Sequence, residues 1–559
     1  MRLCWLWPLL LLTSACGAGP LTTLRFENRD PIFAVYDRSP VPLPVETEFA
    51  GQIASVDNTF RRPVLLHMAM PTPRLAIGIN SLGEVPDSSW FQNRIGRFAI
   101  DPSELERGNA SATPMAEGGW TVVRGKSLGA APGFTAEDGQ GRRYIFKMDR
   151  AEFPESESAA EVVVQRLLWA AGFHVPDNFI VHFRREDLGI ADGATITVED
   201  GSKLRFTDAM LEEALAHAAK TADGRFYRAV ASRYLEGIPI GGFPSTGVRT
   251  DDPNDLIPHE HRREVRAQEL FFSWLGQSDV KSTNTLDTWI ESEPGSGLGH
   301  VRHHLLDFGK SFGIWFGDGA HEHDGWAPHF DYGDAGLSLL ALGLWRRPYE
   351  GHRGPALRGV GRYDSRHYRP EAYSPAIPYA PFYYRDRLDA YWAAKIIARF
   401  ERRHIEAAVR AGRYSDPRAA SYMADTIARR RDKLVRHYFA EVNPVDGFQL
   451  HPLDDGSQQH RLCAKDLLIW HRQGSHRDTR YRLEAFDWHG RPLQWQRQLA
   501  ATATGGVCAA GLLPPKERAG YTMVVVHTRR GERELPPTIA HLARHPGTQR
   551  YRVIGVQRL

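Results

Sequence analysis

Cysteine is scarce, four residues in a chain of 559. That excludes a disulfide-dense scaffold and a multi-cysteine zinc fold, both of which need regularly spaced cysteines. An excess of one charge is lacking as well. Seventy Lys and Arg stand against 67 Asp and Glu, a formal net charge of +3. No concentrated basic face of the kind that tracks a phosphate backbone follows from this balance, so nucleic acid is not an expected partner. Beyond the first twenty residues no run of eighteen apolar residues occurs, and no spanning helix is expected in the body of the chain. The H-E-x-x-H zinc motif is missing: the residue four after His259 is Arg263. Repeats and low-complexity tracts are missing too. What remains, 42% hydrophobic and 25% charged residues, is the composition of a globular protein of two or three domains.

The N-terminus sets the expected compartment. Arg2 precedes the apolar stretch LCWLWPLLLLTSA, too short to span a bilayer comfortably. Leu12-Thr13-Ser14-Ala15-Cys16 resembles a bacterial lipobox, although leucine is commoner where Thr13 stands. The resemblance implies a signal peptide over 1–15, lipid on Cys16 and an exported, membrane-tethered chain in the cell envelope. An ordinary cleaved signal peptide is the alternative. Cys463 and Cys508 are then left, and in an oxidising compartment they are expected to form a disulfide, two buried thiols being the alternative.

Residues 16–75 mix prolines with short apolar runs and read as an extended lead-in. RLAIGINSLGEV reads as a strand. WTVVRG, FTAED and RYIFKMD predict three strands joined by tight turns. A helix is expected from about Pro154, with Glu155 and Glu157 in its first turn, AAEVVVQRLLWAA in its body and Gly172 as its stop. NFIVHF follows as a strand. LEEALAHAAK, REVRAQELFFSWLG, YRDRLDAYWAAKIIARF, RRHIEAAVRAG and PRAASYMADTIARRRDKLVRHYF are helical segments. The last hundred or so residues, with LLIWHR, YRLEAFDW, YTMVVVHT and YRVIGVQRL, alternate like strands. The expected class is α+β: a small β-rich lobe over about 76–185, a larger helical lobe over about 186–450, and a β-sandwich-like domain over 451–559.

Two motifs carry chemistry. Asp279-Val280-Lys281-Ser282-Thr283-Asn284 is D-x-K-x-x-N, and Asp307-Phe308-Gly309 follows across a hairpin-like segment. Phosphoryl transfer explains why these types occur together, since it needs positioning and charge neutralisation more than covalent help. Asp279 would orient an acceptor hydroxyl and take its proton. Lys281 would reach the γ-phosphate. Asn284 and Asp307 would hold Mg²⁺, a cation suited to oxygen-only sites. A nucleotide lysine is expected upstream on a strand, and Lys147 fits. A helix glutamate should hold it, with Glu161 first and Glu157 as the alternative. Gly125 and Gly129, in Gly125-Lys126-Ser127-Leu128-Gly129, form the candidate turn over the nucleotide, although it is not G-x-G-x-x-G. Taken singly, each has a plainer explanation: capping or turn formation for Asp279, Asn284 and Asp307, and an exposed edge strand for Lys147.

Together these residues resemble the catalytic loop, metal-binding loop and lysine–glutamate pair of protein kinases. The spacing and the export signal are similar to atypical relatives: the HipA-type kinases, the spore-coat CotH-type kinases and secreted Golgi-type kinases. GEVPDSSWFQNRIG, GVRTDDPNDLIPHEHRREVRA and WLGQSDVKSTNTLD resemble a group of secreted bacterial proteins over about residues 75–450. The resemblance implies a bilobal kinase-like fold, with ATP and Mg²⁺ as ligands and a hydroxyl-bearing protein, glycan or lipid as acceptor. Gln277 and Ser278 depart from the family, standing where typical kinases have histidine and arginine, so control by activation-loop phosphorylation is not expected. Asp251, Asp252 and Asp255 offer a cation site or a helix cap, and Arg249 and Arg266 a phosphate contact. Two rival functions stand beside phosphoryl transfer: a catalytically silent nucleotide- or ligand-binding protein, and a metal hydrolase built on His259-Glu260-His261, His303-His304 and His321-Glu322-His323-Asp324.

Overall fold

The computed structural model describes residues 21–47, 56, 60–61, 64–65, 74–109, 113–115, 119–126, 132–198, 201–314, 325–328, 331–347 and 349–559. The lipobox, Cys16, Gly129 and His321 to Asp324 lie outside the described residues. The chain is mixed α+β and divides into two compact units. One comprises residues 31–444 with 467–474; the other comprises 1–30, 445–466 and 475–559.

The larger unit carries a seven-stranded sheet. Its strands are β1 (Trp120–Gly125), β2 (Gly133–Glu137), β3 (Arg143–Met148), β4 (Asn178–Phe183), β5 (Leu188–Thr197), β6 (Lys203–Arg205) and β7 (Tyr227–Arg233), in the order β4-β7-β3-β2-β1-β5-β6. All neighbours are antiparallel except β1 and β5. The change from strands to helices was expected near 185; strands β5 to β7 carry this sheet on to Arg233.

The helices of this unit that the site and its core use are α1 (Pro102–Arg107), α2 (Ser156–Ala171), α3 (Asp208–Ala216), α4 (Gln268–Leu275), α5 (Arg387–Ala398), α6 (Arg402–Ala411) and α7 (Pro417–Phe439). The two faces of the sheet bury different sets. Tyr144, Phe146 and Met148 of β3 join Trp120, Phe134 and the α3 residues Leu211 and Leu215 in one cluster. On the other face Ile180 and Val230 pack against Val162 of α2. Side chains alternate along a strand, so Lys147, between Phe146 and Met148, projects to the α2 face. Helix α2 is buried along its whole length apart from Glu157, because its far side enters the large core shared with α4 to α7.

A hairpin of β9 (Thr285–Glu291) and β10 (Gly299–Leu305), with β8 (Ile238–Pro239) at its edge, joins the two chemical motifs. RLAIGINSLGEV is not the expected strand. Gly78 takes φ 78°, and the Asn80 side chain accepts bonds from the Leu82 and Glu84 amides at 3.0 Å, turning the chain. Only Ile77 makes a bridge, to Arg262.

The smaller unit holds a three-stranded sheet of β11 (Val445–Pro452), β12 (His460–Asp466) and β15 (Gly506–Leu512). Its six-stranded sheet comprises β13 (Thr479–Phe486), β14 (Pro492–Ala500), β16 (Thr522–Arg530), β17 (Arg533–Glu534), β18 (Thr538–Arg544) and β19 (Tyr551–Arg558). Inward residues of both sheets, among them Leu462, Val507, Leu483, Val526 and Leu542, form one buried cluster. The opposite face of the larger sheet, with Met523, Ile539 and Ile554, is covered by Leu21 and Phe26. The lead-in thus begins as part of this unit, held by the Leu21 amide on Gly490 O at 2.8 Å and the Phe26 amide on the Tyr521 hydroxyl at 2.9 Å. Cys463 and Cys508 face each other across β12 and β15 and form a disulfide. LLIW, expected as a strand, is a single helical turn over Leu467–Trp470 and belongs to the larger unit.

Candidate functional site

The site is built from α2 outward. Glu155 precedes the helix at φ 66° and contributes no side-chain cap. Asp149, just past β3, does the capping instead: it accepts bonds from the Glu155 amide at 3.0 Å and from the Ser158 amide at 2.8 Å and hydroxyl at 2.5 Å. Arg228 of β7 reaches the Ser158 hydroxyl at 2.9 Å. These bonds lock the start of α2 to the sheet, and one turn on they bring Glu161 in front of Lys147.

Lys147 Nζ lies 2.9 Å from Asp307 Oδ1 and 3.8 Å from Glu161 Oε1. These three residues, 160 positions apart at the extremes, meet in a cleft also lined by Glu157, Ser158, Val230 and Gly309. Asn178 donates to Glu161 Oε1 at 3.2 Å, and the backbone N–H groups of Phe308 and Gly309 face the same carboxylate. Gly309 packs against α2 here: a Cβ on it would lie in ordinary van der Waals contact with Glu157, at 3.4 Å, and Glu161 Oε2, at 3.5 Å.

The hairpin supplies the rest. Its last pair is Thr285 with Leu305, so Asn284 and Leu306 flank its open end. The Leu306 amide donates to Asn284 O at 2.9 Å, which sets Asp307 beside the D-x-K-x-x-N loop. Asn284 Nδ2 donates to Asp279 O at 2.8 Å, leaving its amide oxygen as the atom with cation-binding chemistry. Lys281 pairs with the buried Asp279 at 2.9 Å, and Lys310 approaches the same carboxylate at 3.8 Å. Asp307 takes φ 60°, a left-handed conformation that non-glycine residues rarely adopt. Gln277 holds it there by donating to Asp307 O at 2.9 Å.

Electrostatics follow from this crowding. Burial works against the charge on Lys147, but Glu161 and Asp307 outweigh it and raise its pKa. Burial would raise the Asp307 carboxyl; Lys147, with Lys281 and Lys126 behind it, overcomes this and lowers it. Glu161 is raised, burial exceeding the pull of Lys147. Glu157 is pushed up to about 8 by burial, with the Asp149 and Asp307 carboxylates adding to it.

Comparison with protein-family models, curated proteins and solved structures finds no match. The geometry is therefore the evidence on function.

Lys147, Glu161 and Asp307 are in direct contact, and Asp279, Lys281 and Asn284 form one bonded loop beside Asp307. Gly125 does not line the cleft. A Cβ there would meet the Phe206 ring at 2.6 Å, so packing accounts for this glycine. Lys126 does approach, close enough for its pKa to be lowered by burial and by Lys147. The segment from Gly125 to Gly129 also spells G-x-S-x-G. A serine elbow requires a strand-to-helix turn, and this segment joins β1 to β2. Two contributors were not read from the sequence, Lys310 and Asn178, and Gln277 was read only as a departure from the family. Lys310 left a signal, as the residue directly after Asp307-Phe308-Gly309.

The other candidates have structural partners. Asp255 accepts from His259 at 2.6 Å and from Arg262 at 2.9 Å. Arg249 pairs with Asp251 at 3.1 Å and with Asp287 at 3.3 Å, and Arg266 with Asp389 at 3.3 Å. His303 bonds Asp287 at 2.7 Å and stacks on Trp90. Among the described residues no cluster of three or more His, Cys, Asp or Glu could hold a metal ion, and no helix is long and apolar enough to cross a membrane.

Proposed function

We propose that this chain is an ATP- and Mg²⁺-dependent kinase-like phosphotransferase acting on a hydroxyl acceptor. In this reading residues 76–450 form a bilobal kinase-like domain and residues 451–559 a β-sandwich-like one. The chain is exported and tethered to the envelope through lipid on Cys16. The observation that carries the reading is the meeting of Lys147, Glu161 and Asp307 beside the bonded loop of Asp279, Lys281 and Asn284.

The donor set fits a hard cation: the Asp307 carboxylate, kept ionised by its lysine neighbours, and the Asn284 amide oxygen. When bound there, Mg²⁺ supplies charge neutralisation on the polyphosphate. Lys147, steadied by Glu161, binds the phosphates nearer the nucleoside. Lys281 holds the γ-phosphate. Asp279 orients the acceptor hydroxyl and accepts its proton as the new O–P bond forms and the bond from the γ-phosphorus to the β–γ bridging oxygen breaks.

The test uses the chain without residues 1–15, labelled ATP and Mg²⁺. Turnover or self-labelling is expected, lost in Asp279→Ala. Thermal stabilisation by ATP with Mg²⁺ should survive Asp279→Ala and vanish in Asp307→Ala. Stabilisation without turnover would favour the silent binder. No response to ATP, or stabilisation by zinc alone, would overturn the reading.

A further inference from the structure

A short helix of the larger unit, Tyr332–Leu340, turns its apolar side to solvent and its polar side to the protein. At 3.6 residues per turn Asp331, Asp334, Ser338 and Ala341 share one side, and these are its half-covered positions. Asp334 ties that side down, accepting from Arg347 Nε at 2.8 Å and from the hydroxyl of buried Tyr349 at 3.0 Å. Tyr332, Leu337, Leu339 and Leu340 fall on the other side, and the turn after the helix adds Leu342 and Leu344. These five leucines are 44–89% exposed. None of them joins a buried cluster of the described residues. Single exposed leucines are ordinary, but five within the stretch from Leu337 to Leu344 make a continuous apolar patch, which marks an interaction site.

The turn displays one of them at a conformational cost. The Leu342 amide donates to Leu339 O at 3.2 Å and the Gly343 amide to Ser338 O at 2.7 Å, the two bonds of a Schellman turn. The left-handed position of that turn favours glycine, yet Leu342 occupies it at φ 51° with Gly343 next in the chain. A leucine strained in this way and left in solvent contributes nothing to the fold.

Size and composition identify what covers the patch. Residues 335–345 carry no charged side chain, and Trp345 and the exposed Arg346 stand at its rim. A stable protein interface takes about 20–30 residues a side, far more than this tip offers. Its energetic centre is usually Trp, Tyr or Arg, with leucine under-represented. Leucines in front, then an aromatic ring, then an arginine is instead the order of a bilayer: acyl chains, interface, headgroups. The helix has nine residues, whereas spanning takes about 20, so it would lie in the surface.

We propose that this tip docks the larger unit on a lipid bilayer, its leucines inserted among the acyl chains of one leaflet. The inference rests neither on phosphoryl transfer at Lys147 nor on lipid at Cys16.

Co-sedimentation of the chain without residues 1–15, made without lipid on Cys16, with vesicles of phosphatidylethanolamine and phosphatidylglycerol tests it. The protein should sediment with the vesicles and stay bound in about 1 M NaCl, where charge attraction is screened beyond about 3 Å. Leu339→Ser/Leu340→Ser/Leu342→Ser should lower the partition coefficient at least about tenfold. Its urea midpoint should match the wild type, since all three side chains face solvent. Should the triple variant fail to fold, Leu340→Ser alone should lower the partition about threefold or more. No sedimentation with vesicles, release in high salt, or equal partition of variant and wild type would each overturn the assignment. So would a wild-type dimer in sedimentation velocity that the leucine substitutions break, which would make the tip a contact between two copies of the chain.

Discussion

Lys147→Met separates the electrostatic role of the lysine from its role in ligand binding. Methionine keeps much of the length and removes the charge. Glu161, 3% exposed and 3.8 Å from the ammonium, then loses the cation it pairs with. At an effective dielectric constant of about 20, that attraction is roughly 4 kcal/mol. Asp307 is half-exposed, so water largely replaces its lost partner. Removing one member of a buried pair costs about 3–5 kcal/mol, and the Asn178 amide on Glu161 puts this case near the lower end. Protonation offers an escape. A carboxyl whose folded pKa lies above its unfolded value of about 4.3 destabilises progressively as pH rises through that window, at about 1.4 kcal/mol per unit. The loss is therefore capped near 1.5 kcal/mol at pH 5.5 and should reach about 3 kcal/mol at pH 8.5. Urea denaturation of wild type and variant at both pH values reads it directly. Lys147→Met/Glu161→Gln should recover most of the stability while ATP with Mg²⁺ still fails to stabilise the protein. Equal losses at the two pH values, or no recovery in the double variant, would refute the view that the lysine is held by Glu161.

Further outcomes are expected elsewhere. Glu157→Gln should leave stability unchanged near pH 4 and raise it at pH 9. The wild-type carboxyl, at about 8 in the folded state, loses stability between its unfolded pKa and that value. Water at this half-buried position limits the gain to about 2–3 kcal/mol, read from urea midpoints. Asp389→Asn removes the carboxylate that meets Arg263 at 2.9 Å and Arg266 at 3.3 Å in a fully buried cluster, and should cost about 3 kcal/mol or more in the same assay. Reduction of Cys463–Cys508, which closes a loop with sequence separation 45, should lower the stability of the smaller unit by about 3–4 kcal/mol. ATP-dependent stabilisation of the larger unit should survive that reduction.

Strong local signals were legible in the sequence. The alternation of RYIFKM put Lys147 on one face of its strand. The apolar run from Ala159 to Ala171, stopped by Gly172, gave a helix seen at Ser156–Ala171. The pairing of Cys463 with Cys508 was also readable. Features set by distant contacts were not. Residues 188–233 carry strands of mixed burial, and nothing local says that β7 slots between β3 and β4. LLIW is too short for periodicity to separate a helical turn from a strand. Gly125 read as part of a ligand loop, whereas its neighbour across the fold, Phe206, explains it.

The departures at Gln277 and Ser278 acquire a physical meaning from the geometry. Positioning Asp307 requires that its strained backbone be held. Here the holder is neutral: Gln277 donates to Asp307 O at 2.9 Å, and the Tyr373 hydroxyl anchors Gln277 by donating to its carbonyl oxygen at 2.5 Å. Tyr373 is partly buried, and desolvation raises its hydroxyl well above the ordinary pKa, so this chain of bonds carries no charge at any physiological pH. An arginine in this stretch would be an uncompensated cation that waits for an anion, such as a phosphorylated loop, to settle it. A glutamine asks for nothing further. On the phosphotransferase reading, the metal-binding loop is therefore held in its working conformation by the fold itself. Its activity should be constitutive, governed by access of nucleotide and acceptor rather than by modification of the enzyme.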